Sequence, residues 1–202
     1  LSASPFHAEK FTTRLAVARH AAAVLGHPFL LANQVGGNDD LLFDGRSLVV
    51  WPDGRAVVAP SWQEGVLVVD LTSPEACTWV ASDADDALTI GEAALLHLEA
   101  GEDAASHMET IEELTNAVVA GLADYCRKSS ITSVVLGLSG GIDSAVAACV
   151  AAAALGSENV TGLAMPSRHS SQHSIDDALH TARALGIAHH LHEIDAMHTS
   201  VE

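Results

Sequence analysis

"VVLGLSGGIDSAVAA", residues 134–148, is the stretch on which the fold turns. Its first five residues are a near-continuous apolar run, of the kind buried as a strand in a parallel sheet. Its last residues are alanine-rich and read as a helix. Between them lies Ser139-Gly140-Gly141-Ile142-Asp143-Ser144. In open parallel sheets, ligands collect at the carboxyl ends of the strands, which is where this turn sits. Gly140 and Gly141 let the backbone approach a ligand closely. Consecutive N–H groups and a helix N-terminus form an anion nest, and Ser139 and Ser144 add hydroxyl donors. Asp143 is unexpected there, because a carboxylate repels phosphate unless a divalent cation such as Mg²⁺ bridges them. The lysine-bearing G-x-x-x-x-G-K-[ST] loop and G-x-G-x-x-G are both absent. The plainer alternative is an ordinary turn with Asp143 or Ser144 as a helix N-cap.

Working outward, "VTGLAMP" predicts the next strand, a helix spans about Asp176 to Leu185 and ends at Gly186, and "HHLHEID" predicts another strand. This is βαβαβ, an open doubly wound start. Upstream, residues 107–128 predict a helix with Ile111, Leu114, Val118, Leu122 and Tyr125 on one face. From Ser73 to Ser106 the pattern weakens and acidic residues accumulate, with a short helix expected around Ile90 to Leu98. The N-terminal part differs in character. Residues 7–25 predict a helix with Phe11, Leu15, Ala18, Ala22 and Leu25 at helical spacing, ended by Gly26. "PFLLANQVG", "LLFDG", "SLVVW", "RAVVA" and "EGVLVVDL" predict strands, with Pro52-Asp53-Gly54 as a hairpin turn. The expected organisation is a hairpin-rich domain at 1–72, an acidic linker at 73–106 and a strand–helix domain at 107–202.

The 202 residues are 49% hydrophobic, enough to bury a core. The net charge of -17 excludes a general phosphate-neutralising surface, so no nucleic-acid partner is expected. Cys77, Cys126 and Cys149 lack CxxC spacing, which argues against a disulfide framework or a cysteine zinc site and suits a reducing, cytoplasmic setting. No run reaches the length of a bilayer span, and no secretory leader pattern is present, so no membrane partner is expected. The sequence opens on Leu1 rather than Met and stops at Glu202 within an element, so it reads as an internal piece of a longer polypeptide.

"LSGGIDSA" resembles the pyrophosphate-binding loop of N-type ATP pyrophosphatases, a family that includes NAD, GMP and asparagine synthetases and tRNA-modifying adenylating enzymes. Two further stretches narrow the resemblance. "GLAMPSRHSSQHSIDDALHTARALGI", residues 162–187, is similar to the second strand and following loop of NAD synthetases, with His169 where tyrosine is common. "SASPFHAEK" and "LLANQVGGNDDLLFDGRSLVVWPDG" resemble the later part of the nitrilase-like glutaminase domain of glutamine-dependent NAD synthetases. The implied fold is the C-terminal part of a nitrilase-like αββα domain followed by the start of a doubly wound parallel-sheet domain.

The resemblance implies ATP binding at Gly137, Leu138, Ser139, Gly140, Gly141, Ile142, Asp143 and Ser144, with Asp143 as the Mg²⁺ contact. It implies that Ser4 and Lys10 hold substrate glutamine, a hydroxyl and an ammonium suiting its α-amino and α-carboxylate groups. The implied reaction is ATP-dependent amidation of deamido-NAD to NAD through an acyl adenylate, with ammonia from glutamine, in a homo-oligomeric full-length protein. The alternatives are another adenylating amidotransferase or tRNA-modifying enzyme, or a binding protein without catalysis. The glutaminase Cys, Glu and Lys of such enzymes lie upstream of the Ser-Ala-Ser-Pro segment, so no catalytic residue is expected in this chain, and the piece alone should be inactive. None of the three cysteines has the usual Cys-Glu-Asp setting, and Cys149, inside an alanine-rich helix, reads as a buried inert thiol.

The remaining signals have bland readings. Twelve histidines, with His169 and His173 four apart and His189, His190 and His192 clustered, match no metal-site spacing and read as surface residues. Asp39, Asp40 and Asp44 read as turn chemistry around hairpin strands. Trp51, Trp62 and Trp79 lack the spacing of a base-stacking platform and read as packing residues.

Overall fold

A computed structural model describes residues 3–82, 88, 94–102, 110–168 and 170–194. The chain divides into two compact units, Leu1–Asp124 and Tyr125–Glu202.

The first unit opens with helix α1 (Lys10–Leu25), which Gly26 ends in a left-handed conformation while donating its N–H to Ala22. Among the described residues eight strands follow: β1 (Phe29–Leu31), β2 (Val35–Asn38), β3 (Leu41–Asp44), β4 (Leu48–Val50), β5 (Ala56–Val58), β6 (Gly65–Val68), β7 (Thr78–Ala81) and β8 (Leu96–Leu98). An antiparallel sheet runs in the order β1-β4-β5-β8, and β2-β3 and β6-β7 are separate hairpins. The period of two explains the packing of the central strands. Leu48, Val50, Ala56 and Val58 meet the α1 stripe of Phe11, Leu15, Ala18 and Ala22. Val49, Trp51 and Val57 face the other way and take Leu67, Val69 and Cys77 as cover. Burying both faces of β4 and β5 accounts for their uninterrupted apolar sequence.

The acidic stretch 73–106 is more than a connector. Thr78–Ala81 pairs with β6, and Leu96–Leu98 adds to the sheet beside β5, with Ala56 opposite Leu98 and Val58 opposite Leu96. The helix expected around Ile90 to Leu98 is therefore a strand over its last three residues, because pairing with a buried neighbour outweighs local preference; residues 89–93 lie outside the described residues. Arg19 of α1 ties this stretch down, donating to the carbonyls of Gly54, Glu99 and Glu102.

Helix α2 (Thr110–Lys128) begins in the first unit and ends in the second. Its polarity is the reverse of the expected one. Ile111, Leu114, Val118 and Tyr125 are exposed, whereas Glu113, Ala117, Ala120 and Asp124 are buried. Small alanines fit closely under Trp62 and Leu42, and the two carboxylates are held by partners in the β2–β4 region. Arg46 pairs with Glu113, and the Gly37 N–H donates to Asp124 at 2.6 Å. Periodicity identifies the helix, but specific polar partners select which face turns inward.

The second unit is β9 (Val134–Gly137), α3 (Ile142–Leu155), β10 (Val160–Ala164), α4 (Gln172–Leu185) and β11 (Ala188–Leu191). The strands are all parallel in the order β11-β10-β9. Successive crossovers step across the sheet in one direction, so α3 and α4 lie side by side against β10 on one face. This is one half of a doubly wound sheet. Strand β9 is consequently half-covered rather than buried throughout, and Val135 on its other face is 70% exposed.

Candidate functional site

The glycine turn lies where the sequence places it, between the end of β9 and the first turn of α3. Leu138 anchors it. Its N–H donates to Leu163, extending the ladder to β10, and its side chain fills the space beside Gly162, where a Cβ would come within 2.4 Å of Leu138 Cδ1. Leu138 is buried, and its side chain supports the loop from below.

Gly140 is the point of tightest constraint. Its φ is +78°, and a Cβ there would lie 2.2 Å from the carbonyl oxygen of Ser174. Only glycine meets both conditions. That contact also sets the loop against the start of α4, where Ser171 caps the helix by accepting the Ser174 N–H. The loop between β10 and α4 thus lies beside the first glycine loop, an adjacency that local sequence does not reveal and that the strand-end rule anticipates only in general terms.

The two loop serines bond to the loop itself. The hydroxyls of Ser139 and Ser144 lie 3.1 Å apart. Ser139 N–H donates to Ser144 Oγ, Gly141 N–H donates to Ser139 Oγ, and Ser144 Oγ donates to the Gly141 carbonyl. These bonds shape the turn, and all of them are exposed to solvent. The first turn of α3 also presents N–H groups that have no acceptor within the helix, since Ala145 N–H is the one that reaches back to Gly141. Asp143 is exposed in that same turn, as is Ile142. Neither Asp143 nor Ser144 caps α3; the N-cap is Gly141, without a side-chain bond. The arrangement is a shallow cup of exposed N–H and O–H donors with one carboxylate at its rim, suited to an anion carrying a cation. Among the described residues no three His, Cys, Asp or Glu side chains converge on a metal position.

In the first unit, Ser4 and Lys10 flank the turn into α1. Lys10 is the first residue of that helix and half-buried. Ser4 is also half-buried, and its backbone is gripped at both ends. Its N–H donates to Asn33 Oδ1 at 2.9 Å, and its carbonyl accepts from Asn33 Nδ2 at 3.1 Å. Asn33 is in turn held by Asp44, which is 1% exposed and paired with Arg14 at 3.0 Å. Arg46 reaches the other oxygen of Asp44 at 3.5 Å, pairs with Glu113 and lies over the Phe11 ring.

Asp44 is therefore the centre of a buried ion-pair cluster and not the turn residue expected of it. Asp39, with φ of +51°, does occupy the β2–β3 turn, beside Asp40. A carboxylate survives burial only with paired cations, and Arg14 and Arg46 supply them from 30 residues upstream and two residues downstream. Neither Asn33 nor Asp44 stands out in the sequence, because the signal is the burial of three charges together.

The cysteines differ from one another. Cys126 is buried, and Cys77 is half-buried with burial pushing its thiol up from the ordinary value. Cys149 is exposed, contrary to the buried reading, because α3 is apolar all round and its alanine pattern does not mark the inner face, which carries Ala148 and Ala151. His189, His190 and His192 are exposed, and His173 lies 3.5 Å from Asp177; His169 falls outside the described residues. Trp62 is fully buried, edge-on to Phe6 at 5.2 Å.

Residues 4–80 match the family model for carbon-nitrogen hydrolase, and residues 114–202 match that for NAD synthase. The first segment is thus similar to carbon-nitrogen hydrolases and the second to NAD synthases. A glutamine-dependent NAD(+) synthetase of Rhodobacter capsulatus is 43% identical over 200 residues, covering 98% of this chain and 33% of the relative. A protein of the same name from Synechocystis is 40% identical over 93% of this chain and 30% of its own length. Both segments thus run together in single relatives. The structure of a glutamine-dependent NAD+ synthetase from Acinetobacter baumannii in complex with ADP superposes with a TM-score of 0.76 at 33% identity, covering the whole of this chain and 34% of that one. The chain spans about a third of the length of the curated relatives it matches. The hydrolase segment carries the Asn33–Asp44 cluster, and the NAD synthase segment carries the whole glycine turn.

Proposed function

We propose that this chain is the central part of a glutamine-dependent NAD synthetase, supplying the ATP loop and part of the glutamine site. The observation that carries the reading is the cup at Ser139–Ser144, built on a parallel sheet and present in one polypeptide with a hydrolase segment. Deamido-NAD would be adenylated on its carboxylate by ATP, with pyrophosphate leaving, and ammonia from glutamine would then displace AMP. Charge builds on phosphate oxygens during adenylation, so fixed N–H donors that need no reorganisation are the useful groups. Gly140 and Gly141 bring backbone N–H groups close to the pyrophosphate. The hydroxyls of Ser139 and Ser144 exchange their mutual bond for phosphate oxygens. Asp143 would hold Mg²⁺, which supplies charge neutralisation between the phosphates and the carboxylate.

In the hydrolase segment, the Ser4 hydroxyl and the Lys10 ammonium would bind the polar head of glutamine. Hydrolysis itself would fall to a Cys, a Glu and a Lys outside this chain. The ADP in the Acinetobacter baumannii relative supports nucleotide binding by this fold. The full-length protein is read as a cytoplasmic homo-oligomer; among the described residues no helix is long and apolar enough to cross a membrane.

The test is an assay of the full-length protein containing this chain, with deamido-NAD, ATP and glutamine. NAD and pyrophosphate should form together. No pyrophosphate release dependent on deamido-NAD would sink the reading, and ATP–pyrophosphate exchange driven by tRNA instead would assign the loop to a different adenylating enzyme.

A further inference from the structure

We propose that Asn33 is a positioning residue of the glutamine site, fixing the Ser4 hydroxyl by holding both backbone polar groups of Ser4. The inference rests on the reading of Ser4 given above. An asparagine side chain that accepts from the N–H and donates to the C=O of a single residue imitates the edge of a neighbouring strand. The amide orientation is settled by its surroundings. Nδ2 faces three acceptors, the Ser4 carbonyl at 3.1 Å, the Gly45 carbonyl at 3.0 Å and Asp44 Oδ1 at 3.3 Å, while Oδ1 faces one donor, the Ser4 N–H. Turning the amide over would set oxygen against oxygen at three points.

Asn33 is itself immobilised. Its own N–H donates to Ser47 Oγ at 3.0 Å, and its side chain abuts the Arg14–Asp44 pair. Arg14 reaches the Ser4 carbonyl only at 3.5 Å, against 3.0 Å to Asp44, so Arg14 secures Asp44 and Asn33 secures Ser4. With N–H and C=O both engaged, Ser4 keeps its hydroxyl for a ligand. A rigid supporting residue matters because small displacements of a binding group degrade the fit of substrate. Asn33 should therefore control the use of glutamine and not the amidation that follows.

The experiment compares Asn33→Ala with the unaltered full-length protein, driving NAD formation first with glutamine and then with ammonium chloride. The glutamine KM is expected to rise roughly tenfold or more, and kcat/KM for glutamine should fall by at least that factor relative to the ammonia-driven rate of the same preparation. Asn33→Ser serves as a milder second variant, since one hydroxyl cannot bridge both Ser4 groups, and thermal unfolding is followed for each. An unmoved glutamine KM overturns the assignment. Equal losses with glutamine and ammonia, or failure of both variants to fold, also overturn it, because either result means that Asn33 serves only the stability of the unit. An unaltered protein that makes NAD with ammonia but never with glutamine overturns the reading of Ser4 as well, which separates the two failures.

Discussion

The two candidate sites are built on opposite principles. The glycine turn is exposed and shaped mainly from within. The hydrogen bonds inside Ser139–Ser144 join residues no more than five apart, and its side chains reach solvent. The Ser4 region is non-local and buried. Ser4 meets Asn33 across 29 residues, Arg14 meets Asp44 across 30, and Arg46 meets Glu113 across 67. A backbone cup needs only glycines, short side chains and a strand–helix junction. A buried charge cluster needs every member, because removing one leaves another uncompensated. The comparison predicts fragile stability with local tolerance in the first unit's cluster, and tolerant stability with a fragile function in the turn.

The strongest way to break that contrast is Asp44→Ala, which strands the buried Arg14 without its carboxylate, while Arg46 keeps Glu113. A loss of about 3–5 kcal/mol is expected in urea unfolding of the first unit; a loss below 1 kcal/mol would mean that solvent reaches the cluster. Next is Gly140→Ala. It should cost roughly 1–3 kcal/mol of local strain against the Ser174 carbonyl, and lower nucleotide affinity in calorimetry by about tenfold or more, while leaving unfolding of the first unit unmoved. Unchanged nucleotide binding would remove the turn from the site. A smaller effect is expected from Asp124→Asn, which keeps the shape but loses the charge-assisted bond from Gly37. About 1–2 kcal/mol is the expected cost, read as earlier exchange of the Gly37 amide.

The smallest effect belongs to an exposed pair. The Arg55 backbone N–H and guanidinium hold the Asp53 carboxyl below its ordinary 3.8. A depressed folded value means that the contribution is fully present above about pH 3.8 and is lost as pH falls through the lowered value. Asp53→Ala should therefore shift the thermal midpoint only slightly at pH 7, because surface pairs of this kind are screened by solvent, and the shift should shrink as the pH is taken below 3.8.

The same contrast explains what the sequence discloses. Strand, turn and helix at 134–155 are legible because each is signalled within its own window, and the Ser139–Ser144 cup is a contiguous motif. The α1 stripe and the β4–β5 hairpin are legible for the same reason, since Gly26 and Pro52-Asp53-Gly54 mark their ends. Asn33, Asp44 and the inward face of α2 are not, because each is defined by partners tens of residues away. The apolar stripe of α2 pointed the wrong way for want of knowing that Arg46 and Gly37 await Glu113 and Asp124. Strand β8 is illegible for the same reason: three residues of Leu-His-Leu acquire their conformation from β5.

The seat of Asp124 has a kinetic consequence. Its carboxylate rests where a side chain at Gly36 would be, with Oδ2 at 2.9 Å from that Cβ position, and Gly36 has a φ of +103°. The receptor exists only once hairpin β2–β3 has formed, and 87 residues separate Gly37 from Asp124. Closing so long a loop costs entropy before any contact repays it. Docking of α2 therefore belongs late in the folding of the first unit, and a ribosome must deliver the helix well after the hairpin that receives it.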